Sequence, residues 1–137
     1  MDNKALNYLS LARKAGRAEL GEEPVGDVSR TGKAYVIAVA SDASDHTWRR
    51  ALSFAAGTEQ QCVRLPHSKD EMGLAVGRQS LAIAAITDPG LALAMVQALG
   101  RPQDAKALEV LTQKAARAAQ RRKEAKAHIR NVRKGKK

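Results

Sequence analysis

The chain has 137 residues, 44% of them hydrophobic but only 3% aromatic. That composition excludes disorder throughout and leaves room for one domain with an aliphatic, alanine-rich core plus an appendage. The net charge of +10 is lopsided, because residues 1–100 hold 11 Lys+Arg and 11 Asp+Glu whereas residues 101–137 hold 13 and 3, a pattern that points to a polyanionic partner.

A single cysteine, Cys62, excludes an intramolecular disulfide and fits a reducing compartment. No apolar run approaches the roughly 20 residues needed to cross a bilayer. Met1-Asp2-Asn3-Lys4 leads straight into amphipathic sequence without a signal-peptide pattern. The expectation is a soluble, cytoplasmic protein with no membrane partner.

In chain order, Asp2 or Asn3 is placed to cap a first helix with Ala5, Leu6, Leu9 and Ala12 on one face, stopped by Gly16. Arg17 to Leu20 reads as a short link or strand closed by Gly21. A second helix is expected from Glu22 to Arg30, with Glu22 and Glu23 favourably placed at its N-terminal dipole and Pro24 in its first turn. Ala34 to Ala40 is the clearest strand, a continuous apolar run suited to burial on both faces. The polar stretch Ser41–Asp45 leads into a third helix, roughly His46 to Ala56, with Trp48, Leu52 and Ala55 or Ala56 apolar at helical spacing.

Cys62 to Leu65 reads as a short strand. Ser68 caps a fourth helix whose Met72, Ala75 and Val76 face inward and which ends at Gly77. Leu81 to Ile86 is a second buried strand. Thr87-Asp88-Pro89 starts a fifth helix that runs to Leu99 and closes at Gly100. Helices alternating with buried strands predict an α/β fold, a three-layer α/β/α sandwich around a small, largely parallel or mixed sheet.

The division between a globular body, residues 1–100, and a C-terminal arm, residues 101–137, is expected at Gly100-Arg101-Pro102. The arm is rich in strong helix formers. Leu108, Leu111, Ala115, Ala118, Arg122, Ala125, Ile129 and Val132 recur at alternating spacings of three and four, a heptad stripe. Alanine fills its middle and Arg122 interrupts it. The expectation is a helix from about Asp104, docked through Leu108 and Leu111, frayed beyond Arg121 and disordered over Gly135-Lys136-Lys137.

Enzyme signatures are missing. Gly26 and Gly32-Lys33 lie one residue too far apart for a phosphate-binding loop, and Ala34 stands where that loop needs a hydroxyl. His46, His67 and His128 have no metal-ligand spacing with one another or with Cys62. His46 reads as a helix-start surface residue and His67 as a loop residue. Asp42, Ser44 and Asp45 read as capping residues rather than members of a catalytic triad. No cofactor, metal or catalytic residue is expected. The arm, in contrast, concentrates Arg117, Arg121, Arg122, Lys123, Lys126, Arg130, Arg133 and Lys134, all offered as phosphate contacts. About six such contacts would give a log–log salt slope of roughly −4 to −5.

Several segments carry a resemblance: Leu9-Ser10-Leu11-Ala12-Arg13-Lys14-Ala15-Gly16, Gly21-Glu22-Glu23, Val36 to Ser44, Gly73-Leu74-Ala75-Val76-Gly77-Arg78 and Ala84 to Gly90. Together they span nearly all of residues 1–99, which resemble the kink-turn RNA-binding ribosomal-protein superfamily, most closely its bacterial YlxQ-like branch. The arm lies outside the resemblance. The resemblance implies a non-enzymatic RNA-binding sandwich, associated with the ribosome or ribosomal RNA. It also implies one contiguous binding surface: the start of the second helix, the loop after the main strand and the loop before the last strand.

Relatives of that superfamily place Gly-x-Asn-Glu-x-x-Lys at the second-helix start. Here Glu23, Pro24 and Asp27 occupy the Asn, Glu and Lys positions of that frame, so acids stand where relatives attract phosphate. The residues carried over to this surface are Arg13, Lys14, Arg17, Gly21, Glu22, Glu23, Lys33, Ser44, Arg78, Gln79 and Ser80. Two other readings use the arm alone: a protein-interaction adaptor pairing through the heptad stripe, and a nonspecific DNA binder.

Overall fold

The computed structural model describes residues 3–133. The cap offered at Asp2, the contact at Lys134 and the disordered end at 135–137 lie outside the described residues, as do the side chains of Val132 and Arg133. The elements run α1 (Lys4–Lys14), β1 (Ala18–Leu20), α2 (Glu22–Arg30), β2 (Val36–Val39), α3 (Asp45–Ala55) and β3 (Gln61–Arg64). They continue with α4 (Lys69–Ala75), β4 (Ile83–Ile86), α5 (Pro89–Leu99), a 3-10 turn (Pro102–Asp104) and α6 (Ala105–Arg133).

The strands form one sheet in the order β1-β4-β2-β3. β2 and β3 are parallel, and β4 is antiparallel to both β1 and β2, so the sheet is mixed. β4 and β2 are the central strands and are buried at every position, which is why their sequences are unbroken apolar runs. Helices α2 and α3 share one face, while α1, α5 and α6 pack side by side on the other, with α4 against α1. The expected α/β/α sandwich is the fold.

Local chemistry starts the helices. Ser44 Oγ accepts from Thr47 N at 3.2 Å and Asp88 Oδ2 from Leu91 N at 2.8 Å. Ser68 and Glu71 form a reciprocal capping box at the start of α4. Asn3 precedes α1 but makes no side-chain cap.

Burial refines three readings. In α3 the fully buried residue is Ala51, while Leu52 is 45% exposed and Trp48 only half-buried. The small Ala51 lets the helix approach the sheet closely, which rotates Leu52 outward, and Trp48 instead lies against the Arg64 guanidinium at 5.3 Å. His67 is a loop residue, yet it is buried, and its carbonyl accepts from Ser41 N at 2.8 Å. On α6 the buried docking residues are Ala107 and Leu111, with Leu108 half-buried beside them.

The start of α6 thus belongs to the same hydrophobic core as the sheet. Arg101 pins the turn before it, bonding Asp104 twice and donating to Arg64 O at 2.8 Å. Ala115 and Ala118 are half-buried, and every residue from Ala119 to Arg130 is exposed. The helix is continuous to Arg133, past Arg121 where fraying is expected.

Candidate nucleic-acid interface

The sheet has two ends with different chemistry. At the first, which we term the loop end, β1, β2 and β3 finish and β4 begins. Gly21 N donates to Ile83 O and Ala40 N to Ala82 O, both at 2.9 Å. These bonds draw the start of α2, the loop after β2 and the loop before β4 into one rim. Gly21, Glu22, Glu23, Ser44, Arg78, Gln79 and Ser80 sit along it. Gly21 enters α2 at φ +99, a conformation that favours glycine.

Two loops of the rim are tied to α4. Asp42 Oδ1 accepts from Lys69 N at 2.8 Å, so this residue caps a helix distant in sequence, not the α3 that follows it. Arg78 N donates to Gly73 O at 2.8 Å and Leu81 N to Lys69 O at 3.0 Å. A Cβ on Gly73 would lie 2.7 Å from Ser80 N and 2.8 Å from Arg78 O. Glycine inside a helix is locally unfavourable. Its presence at Gly73 is the sequence signal that another backbone presses against α4.

The loop end carries charge of both signs: Glu22, Glu23, Asp42, Asp45, Asp70 and Glu71 stand with Arg50, Arg64, Lys69, Arg78 and Arg101. Arg50 is taken up by Glu22, Nε to Oε1 at 2.7 Å, and His46 approaches the same carboxylate at 3.9 Å. Arg50 is a second residue the sequence did not reveal, because its partner lies 28 positions away. Glu71 is held below the ordinary 4.5, first by its hydrogen bond from Ser68 N.

At the far end, β1, β2 and β3 begin and β4 finishes. Thr87 N donates to Arg17 O at 2.8 Å and Gln61 N to Tyr35 O at 3.2 Å. Arg17 stands at the start of β1, Lys33 just before β2, and Arg13 and Lys14 on the last turn of α1 that feeds Arg17. All four are exposed, and among the described residues none makes an ion pair. The three segments named for the contiguous surface meet at the loop end, whereas a three-residue strand and a nine-residue helix lie between them and these four residues. Of the acids nearby, Asp27 is paired with Arg30 at 2.6 Å and Glu59 with Lys114 at 3.0 Å, Asp88 caps α5, and Glu19 is exposed on β1. The Lys114 contact also holds Glu59 below its ordinary value.

α6 connects the two ends. It starts beside Arg64, where β3 finishes, and reaches Glu59, before β3 begins, at Lys114. It then leaves the body at the far end, with Arg117 close enough to Glu59 to influence its charge. The remaining turns to Arg133 extend about 28 Å at 1.5 Å per residue. Arg121, Arg122, Lys123, Lys126 and Arg130 are all exposed along this rod.

Among the described residues, no group of three or more His, Cys, Asp or Glu could hold a metal ion, and no helix is long and apolar enough to cross a membrane.

No protein-family model matches the chain. It is 33% identical over 90 residues to the RNA-binding protein YlxQ of Enterococcus faecium, covering 65% of this chain and 84% of that protein. A Bacillus halodurans protein of unknown function superposes with TM-score 0.68 at 22% identity, over 73% of this chain and all of its own. The Giardia lamblia 15.5kD RNA binding protein superposes with TM-score 0.58 at 18% identity, over 71% of this chain and 82% of its own.

Proposed function

The chain belongs to the YlxQ-like family of ribosomal-protein-like RNA-binding proteins, and on that premise we propose that it binds structured RNA without catalysis, in association with the ribosome or ribosomal RNA. The observation that carries this reading is the exposed cationic rod of α6 on a body of this family. Arg117, Arg121, Arg122, Lys123, Lys126, Arg130, Arg133 and Lys134 supply phosphate contacts, and residues 101–118 anchor the arm to the body.

The loop end plays the lesser part. Glu23, Pro24 and Asp27 replace the amide, carboxylate and ammonium of the kink-turn frame, and Glu22 is engaged by Arg50. Exposed Ser44, Arg78, Gln79 and Ser80 remain for contacts with RNA shape and backbone. The test is direct binding of the full chain to ribosomal RNA fragments, with and without a kink-turn, against DNA of equal length. Tighter binding to the RNA fragments supports the reading; equal or tighter binding to DNA contradicts it.

One observation favours a second reading. Ile129 is 53% exposed on the heptad stripe, as a helix-pairing adaptor requires. Dimers that persist at high salt would favour it.

A further inference from the structure

The body is neutral in sum, but its cations are not paired alike. The loop end mixes both signs, while Arg13, Lys14, Arg17 and Lys33 are exposed at the far end and make no ion pair among the described residues. α6 leaves the body at that same far end, as the Lys114–Glu59 contact shows. Across the sheet, three strand spacings separate Arg17 from the side where α6 emerges, roughly 14 Å. The stripe of α6 that is buried at Leu111 and half-buried at Ala118 continues beyond the body through Arg122 and Ile129. Where the helix loses its protein partner, this stripe gains a charge.

We propose that Arg13, Lys14, Arg17 and Lys33 act together with the protruding part of α6 as one composite site. Its ligand is the phosphate backbone of base-paired RNA, lying in the corner between the rod and the far end of the body. The inference rests on the RNA-binding reading above and deepens it by moving the main contact away from the loop end. Chemistry selects a duplex over a single strand. Single-strand binders stack bases on aromatic rings, yet residues 101–137 contain no Phe, Tyr or Trp, and Tyr35 at the far end is half-buried. Duplex RNA is held chiefly through shape, backbone and 2′-hydroxyl contacts, for which separated cations on a rigid frame suffice.

The test uses the full chain and a fluorescent 20-base-pair RNA duplex, with a single strand of equal length as comparison. One variant combines Arg13→Gln, Lys14→Gln, Arg17→Gln and Lys33→Gln; another combines Arg78→Gln, Gln79→Ala and Ser80→Ala. All changed side chains are exposed, and unchanged thermal melts confirm folding. The first variant is expected to bind duplex roughly tenfold or more weakly at 0.15 M salt, with a log–log salt slope shallower by about 1 to 2. The second, which removes one cation and the lesser contacts of the loop end, should weaken binding less than the first and change the slope by no more than about 1. If the first variant keeps the parent's affinity and slope, the composite site is wrong while RNA binding stands. If the single strand binds as tightly as the duplex, the assignment to base-paired RNA falls. If the parent binds no RNA at all, the functional reading itself fails, and this inference with it.

Discussion

Gly73 is the residue that decides where the loop before β4 can sit. A methyl group there meets backbone atoms of Arg78 and Ser80 at less than 3 Å, and backbone gives way far less easily than a side-chain tip. Gly73→Ala is therefore expected to destabilise the fold by about 1–3 kcal/mol through overpacking and to displace Arg78–Ser80, read by urea unfolding and backbone NMR shifts. Cys62 makes a different kind of statement. Its Sγ donates to Ala51 O at 3.1 Å, and burial pushes the thiol up to about 12. Alkylation at pH 8 should be slow in the native protein and fast once urea unfolds it; rapid native labelling would show that α3 does not cover the thiol. At the start of α4, Ser68→Ala should cost about 1 kcal/mol. The linked Glu71 is lowered by folding, so its contribution is present above pH 4.5 and drains away as pH falls below it. An acid titration of stability should show both wild type and Ser68→Ala losing the Glu71 contribution, because the Ser68 N–H that bonds Glu71 is kept, while the difference from the lost cap persists at low pH.

Among the elements, α6 departs most from a simple reading of body and tail. Leu111 is 1% exposed within the common core, and Leu111→Ala is expected to cost about 2–5 kcal/mol, measured by thermal unfolding of the whole chain. A change below about 0.5 kcal/mol would mean that the first turns of α6 do not contribute to the core. The other elements were legible to different degrees. β2 and β4 announced themselves as apolar runs because both faces are covered, and α4 and α5 through caps that act within three residues. The heptad spacing revealed α6 as a helix, but spacing cannot say where its neighbour ends. The spacing of Trp48, Leu52 and Ala55 marks α3 as a helix, but it cannot tell that close packing on the sheet selects the small Ala51 for the buried face.

At the scale of the whole molecule, the candidate site divides into a part that sequence could supply and a part it could not. The arm's charge is a local property and is visible as a run. The loop end came from the family resemblance, and the backbone bonds from Gly21 and Ala40 to β4 bring those segments together. The resemblance implies the same surface for Arg13, Lys14, Arg17 and Lys33, although β1 and α2 carry the chain between the two ends of the sheet. Only the strand directions show that they share an end with the departing arm. The account's central claim, that the rod beyond Ala118 supplies most of the RNA affinity, is tested most directly by the salt dependence of RNA binding for the full chain and for a chain ending at Ala118. That end point keeps Ala107 and Leu111 in the core. The full chain should show a log–log slope of about −4 to −5, and the shortened chain a slope shallower by about 3 or more with affinity at least tenfold lower. Equal slopes and equal affinities would contradict the account.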